Sequence, residues 1–197
     1  MFAPRTVSPA VLAARLQTLI PEYLPGLDTG AFEPTDRRQC WNKTISKSLE
    51  LVAREDLGLS GVVENSALTP QQEQLRLSWR RDGRTVFAMA TAWGGRAEVQ
   101  QGLDYLEELK SPDKLLVYSC TKWQDAVIDQ IEGSLLEYPY HLKGERYLFF
   151  NLLGMQNRFE LMTCEVDHDG LPYNREDVRL HPVSGSPFAW STGSRAL

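Results

Sequence analysis

The sequence predicts an α/β fold, a mixed β-sheet flanked by helices in the order α-α-β-β-β-α-β-α-β-β. Three observations carry this. Apolar residues recur at helical spacing in four segments, each with one face to bury. A strictly alternating segment and a mostly apolar one are joined by an Asp-Gly step, a hairpin signal. A short apolar run then follows a helical segment, as in a strand–helix–strand crossover between parallel strands.

The first helix is expected from Ser8 to Ile20, with Ser8 as N-cap, Pro9 at the first helical position and Pro21 as the stop. Glu22 to Pro34 holds Pro and Gly and reads as a loop. A second helix runs from near Asp36 to about Glu55, with Trp41, Ile45, Leu49 and Val52 on one face. Gly58 and Gly61 break the chain before a weak first strand, Val62-Val63-Glu64. Gln74 to Arg80 sets Leu75, Leu77 and Trp79 on one face and Gln74, Arg76 and Ser78 on the other. After the turn Arg81-Asp82-Gly83-Arg84, Thr85 to Trp93 is apolar enough for burial on both faces.

Gly94-Gly95 leads into a helix with Val99, Leu103, Leu106 and Leu109 on one side. Lys114 to Cys120 is a buried strand parallel to its predecessor. Lys122 to about Tyr138 is helical, with Trp123, Val127, Ile128, Ile131 and Leu135 inward. Glu145 to Leu153 and Arg158 to Val166 are strands around a Gly-Met-Gln-Asn turn. Pro172, Pro182, Gly185 and Pro187 mark an irregular tail.

At 197 residues with 42% hydrophobic composition, the chain is long and apolar enough for one core. It divides into an N-terminal helix and loop (1–35), a core (36–170) and the tail (171–197). The net charge of -5 argues against a general polyanion binder, because nonspecific DNA affinity comes mainly from Lys and Arg on phosphates. Cys40, Cys120 and Cys164 form no CxxC pair, so neither a zinc ribbon nor a disulfide framework is expected. No stretch approaches a membrane span, and the N-terminus is not patterned as a signal peptide, so the expected location is the cytoplasm.

The third strand reads Phe87-Ala88-Met89-Ala90-Thr91-Ala92-Trp93-Gly94. The next helix ends Leu106-Glu107-Glu108-Leu109-Lys110-Ser111-Pro112-Asp113 and opens into the strand Lys114-Leu115-Leu116-Val117-Tyr118; Gly144-Glu145-Arg146-Tyr147-Leu148 follows later. With the element order, these segments resemble the PD-(D/E)xK, restriction endonuclease-like, nuclease superfamily, whose core is α-β-β-β-α-β. The resemblance covers roughly Asp36 to Cys120 and extends more loosely to Gly170. It implies a lineage that hydrolyses phosphodiesters with Mg²⁺, and a third strand that in many relatives reads E-x-E-W or E-x-K. Mg²⁺ activates water and neutralises the transition state, and prefers hard oxygen ligands. Two carboxylates two apart on a strand point to the same face and converge on one ion.

Here the matching positions are Ala90 and Ala92, neither of which can hold a metal. On the preceding strand Arg76 and Ser78 are not acids, and Glu73 stands just before it. Glu50 matches the auxiliary helical acid of some relatives, and Lys110 or Lys114 a phosphate contact. The resemblance therefore implies a nuclease-fold protein of microbial defence, mobile-element or toxin type, inactive as written and holding no Mg²⁺. It is either a natural pseudonuclease or a chain whose catalytic acids have been replaced by alanine. Taken alone, alanines on an apolar strand are ordinary core residues. The alternative is a protein-binding immunity or regulatory module with no nuclease role. A live enzyme using Asp104 ranks last.

Arg76, Arg80, Arg81, Arg84 and Arg96 cluster in sequence around the hairpin and the next helix start, with Lys43 and Lys47 on the second helix. They are candidates for a DNA groove, weighed evenly against solvated faces. His141, His168 and His181 have no metal-binding spacing. Asp167-His168-Asp169-Gly170 reads as a turn, and Gly94-Gly95 lacks the Gly-Lys step of a phosphate loop.

Overall fold

The computed structural model describes residues 15, 34–56, 62–64, 74–93, 95–119, 124–153, 158–166, 172–183 and 186–193. The helix predicted over Ser8 to Ile20 lies outside them except for Arg15, which is helical and reaches Glu55 at 3.1 Å. Cys120, Trp123, the Gly-Met-Gln-Asn turn and the Asp167–Gly170 turn also lie outside.

The architecture is mixed α/β. Helix α1 (Pro34–Leu51) runs into a π-helical turn at Val52–Asp56, and Ile45, Leu49 and Val52 are buried as their spacing predicts. Strands β1 (Val62–Glu64), β2 (Arg76–Arg81) and β3 (Arg84–Ala92) form an antiparallel meander. The β2–β3 turn places Asp82 at φ 51 and Gly83 at φ 77, the positive pair that a tight hairpin turn of matching twist requires.

Helix α2 (Arg96–Glu108) crosses over to β4 (Asp113–Tyr118), which is parallel to β3. Helix α3 (Gln124–Glu137) crosses to β5 (Arg146–Leu153), again parallel. β6 (Arg158–Val166), β7 (Pro172–Val183) and β8 (Ser186–Gly193) continue antiparallel. The eight strands lie in chain order across one sheet.

The last two strands correct the expectation of an irregular tail. Proline is tolerated at strand starts, bulges and edges, where its missing N–H is not needed. Pro172 opens β7, Pro182 sits at a register irregularity, and Pro187 lies in the terminal strand.

Side-chain alternation splits the core into two layers. Ala88, Ala90 and Ala92 on β3, Leu116 and Tyr118 on β4, and Tyr147 and Phe149 on β5 share one face. Val99, Leu103 and Leu106 of α2 and Val127, Ile131 and Leu135 of α3 cover it. On the opposite face Leu77, Trp79, Phe87 and Met89 are buried, and α1 is tied there through Asn42. Asn42 Oδ1 accepts from the Thr91 hydroxyl at 3.1 Å and from the Trp93 indole at 2.9 Å.

Candidate functional site

Strand parity decides what the predicted site residues can do. Ala90 and Ala92 are wholly buried and face α2. Above Ala90 stands Gly102, where an added Cβ would lie 3.7 Å from the Ala90 methyl and 2.7 Å from Leu116 Cδ1. The helix therefore rides close over the sheet, with Gly102 leaving the space that Leu116 of β4 fills, and neither alanine opens on a cleft.

The other candidates do not converge on this point. Glu50 is exposed on α1, across the sheet from Ala90. Glu73 lies outside the described residues. Lys110 is exposed and donates to the Tyr140 carbonyl at 3.0 Å. Lys114 is buried, its ammonium engaged by Glu145, so as placed it reaches no phosphate at the surface.

The basic residues also divide. Arg80, Arg81 and Arg84 gather at the β2–β3 hairpin end, with Arg80 and Arg84 exposed. Arg76 is half-buried and lies over the Tyr105 ring, 4.9 Å from its centroid. Arg96 donates to Gln130 at 3.0 Å. Lys43 and Lys47 are exposed on α1.

Chemistry-bearing groups do assemble, but at the N-terminal ends of β4 and β5. Register places Lys114 beside Tyr147, both facing α2 and α3. Lys114 Nζ pairs with Glu145 and donates to the Tyr147 hydroxyl at 3.1 Å. Glu145 also accepts the Leu142 amide at 2.6 Å and stands 3.5 Å from His141 Nδ1. His141 Nε2 donates to the Leu135 carbonyl at 2.8 Å. On the sheet's other side Arg146 Nε donates to Asp113 at 2.7 Å.

Burial and pairing perturb these groups in distinct directions. Burial pulls the Lys114 ammonium below its usual range, against the opposing pull of Glu145. Burial also acts to raise the Glu145 carboxyl, but the His141 hydrogen bond and the Lys114 charge outweigh it, and the net shift is downward. Burial would lower His141; its bonds to Glu145 and the Leu135 carbonyl win and raise it. Burial, then the Glu145 charge, push the Tyr147 phenol up. The cluster thus reads as a buried ion pair, Lys114 with Glu145, braced by the Leu142 amide and His141.

Next to it, α2 and α3 enclose an open groove of about 500 Å³ lined by Gln100, Glu107, Gln130, Ser134, Glu137 and Tyr138 among others. A directional hydrogen-bond chain runs along it. Arg96 Nε donates to Gln130 Oε1 at 3.0 Å, and Gln130 Nε2 to Gln100 Oε1 at 2.9 Å. Gln100 Nε2 donates to Ser134 Oγ at 3.1 Å, and Ser134 to Glu107 Oε1 at 2.9 Å. Glu107 ends the chain; burial raises its carboxyl more than the Ser134 bond lowers it.

Sequence reasoning missed Glu107, Ser134, Tyr138, His141, Glu145 and Tyr147 as a group. Glu107 sits on the apolar stripe of α2, one residue past Leu106, and an acid there is the single signal that pointed to it.

Among the described residues, no set of three or more His, Cys, Asp or Glu is placed to hold a metal ion. No described helix is long and apolar enough to cross a membrane. No family model matches the chain. No curated protein matches it either.

Proposed function

We propose that this chain is a nuclease-fold protein of the restriction endonuclease-like kind that does not cleave, and that it acts in the cytoplasm by binding nucleic acid. What supports the fold part is the β1–β2–β3 meander, the α2 crossover and a parallel β4, with α1 on the opposite face. What supports the loss of cleavage is one contact: the Ala90 methyl under Gly102. A carboxylate at position 90 would be wholly buried between the sheet and α2, and an unpaired buried charge is strongly unfavourable. This favours a natural non-cleaving chain over one whose acids were exchanged for alanine. The arginines at the hairpin end supply the phosphate contacts.

Incubation of the chain with supercoiled plasmid and Mg²⁺ or Mn²⁺ tests cleavage, and gel retardation of duplex DNA at two salt concentrations tests binding. The expected result is intact plasmid with retardation that weakens at higher salt and on R80A/R81A/R84A substitution. Divalent-dependent nicking overturns the non-cleaving reading; no retardation at low salt overturns the nucleic-acid role.

One observation favours the second reading, a protein-binding regulatory or immunity module. Leu136 and Tyr140 are 64% and 69% exposed, large apolar surfaces close in sequence at the end of α3. Retention of DNA binding by a Leu136→Ser/Tyr140→Ser variant leaves the first reading in place. No DNA retardation by the parent, together with saturable binding of a partner protein that Leu136→Ser/Tyr140→Ser abolishes, shifts the function to this surface.

A further inference from the structure

The α2–α3 groove holds a polar arrangement that the nuclease-fold reading does not use. Glu107 is 6% exposed, yet it lines the groove. Its Oε1 takes the Ser134 hydroxyl, while no described residue donates a hydrogen bond to its Oε2. Glu107 is a groove-lining residue, so the carboxylate has the groove as its neighbouring space. The Tyr138 hydroxyl, also in the groove lining, spends its proton on the Glu107 backbone carbonyl at 2.8 Å, so toward a ligand its oxygen can act only as an acceptor. Glu137 adds an exposed acid at the rim, and among the described residues none that lines the groove is cationic. The cationic groups nearest in charge to Glu107, His141 and Lys114, both stand against Glu145.

We propose that this groove is a binding site for a primary alkylammonium group, with Glu107 as its counter-ion. Two features set the chemistry. A guanidinium prefers both oxygens of a carboxylate in a planar fork, and the Ser134 hydroxyl already competes for one of these. An ammonium is a compact charge with three donors, suited to a single free carboxylate oxygen plus neutral acceptors such as Tyr138. The Arg96-to-Ser134 chain delivers a donor to Oε1 and so holds the carboxylate in place before a ligand arrives. Gly133 leaves the wall open, with no atom within 4 Å of where a Cβ would stand. The ammonium is carried either by a free amine or by the lysine side chain of a partner protein.

The test is titration of the full chain with n-butylammonium, n-butylguanidinium and a Lys-containing peptide, read by amide NMR shifts at Gly133, Ser134 and Tyr138. Saturable shifts with n-butylammonium, at least several-fold tighter than with n-butylguanidinium, are the expected result. Tighter binding of the peptide than of the amine assigns the site to a protein partner; the reverse assigns it to a free amine. Glu107→Gln should cost tenfold or more in affinity. Gly133→Leu fills the groove from a helical position where glycine is the weaker helix former, so it keeps the fold and blocks the site. Ligand shifts of equal size in the parent, Glu107→Gln and Gly133→Leu overturn the proposal, as does equal affinity for both cations.

Discussion

The even-numbered face of β3 and the N-terminal ends of β4 and β5 lie under the same two helices, yet they are built on opposite principles. Around Ala90 the contact is dry: methyl against glycine, with Leu116 filling the remaining space. Around Lys114 it is charged: ammonium, carboxylate, imidazole and phenol share one buried pocket of bonds. The fold analogy places chemistry at the first region, and side-chain geometry places it at the second. A strand position matched by pattern says which residue is there; only the covering helix says whether anything else can reach it.

The sharpest way to break this contrast is to put charge into the dry layer. Ala90→Glu/Ala92→Glu is expected to abolish cooperative folding, since each unpaired buried carboxylate costs several kcal/mol or more. Thermal and urea unfolding read it. A folded double variant that nicks plasmid with Mg²⁺ reverses our placement of these residues.

Next in size is the charged region. Lys114→Met leaves Glu145 without its main counter-charge and should cost about 3–5 kcal/mol by urea unfolding. Lys114→Met/Glu145→Leu should recover much of that loss, because an apolar pair of similar volume needs no compensation. A double variant no better than the single one refutes the idea that unpaired charge is the cause.

Glycine 102 sharpens the comparison from the dry side. Gly102→Val pushes branched bulk toward Leu116 and Ala90 and should cost about 1–3 kcal/mol, after any gain in helix propensity. An unchanged midpoint means that α2 rides higher on the sheet than described.

The pH response is smaller and spread over a range. Glu145 has its folded pKa depressed, so its contribution is present above its ordinary value of 4.5 and lost as pH falls through the folded value. Glu107 is raised, so the protonated form is favoured by folding and stability is lost as pH rises through its folded value. His141 is raised above 6.5; its contribution is present below that pH and lost on rising through its folded value. The difference in unfolding free energy between the parent and Glu145→Gln should therefore shrink as pH drops below 4.5. A difference that stays constant down to pH 2 removes Glu145 from the acid response.

Much of the fold was legible because burial imposes periodicity. Leu75, Leu77 and Trp79 alternate, Val99, Leu103 and Leu106 recur at helical spacing, and Asp82-Gly83 supplies the turn conformation. The parallel placement of β4 followed from its apolar run after a helix. β7 and β8 were not legible, since Pro172, Pro182 and Pro187 read as breakers until register showed them at tolerated positions. The charged cluster was not legible for a different reason. Lys114, His141 and Glu145 are brought together by the β4–β5 register and the loop after α3, and no local spacing encodes that. Lys114 is singled out by the resemblance as a phosphate contact, whereas the structure buries it against Glu145.

The polarised line of bonds from Arg96 to Glu107 also fixes how α2 and α3 can slide. Four successive bonds run from the guanidinium through both amides and the hydroxyl to the carboxylate, so a one-turn shift of either helix misaligns them together. Apolar side chains at the same positions would tolerate such a slip with little change in contact. The relay thus ties together the two crossover helices that lead into β4 and β5, the strands whose register sets the Lys114–Tyr147 pairing.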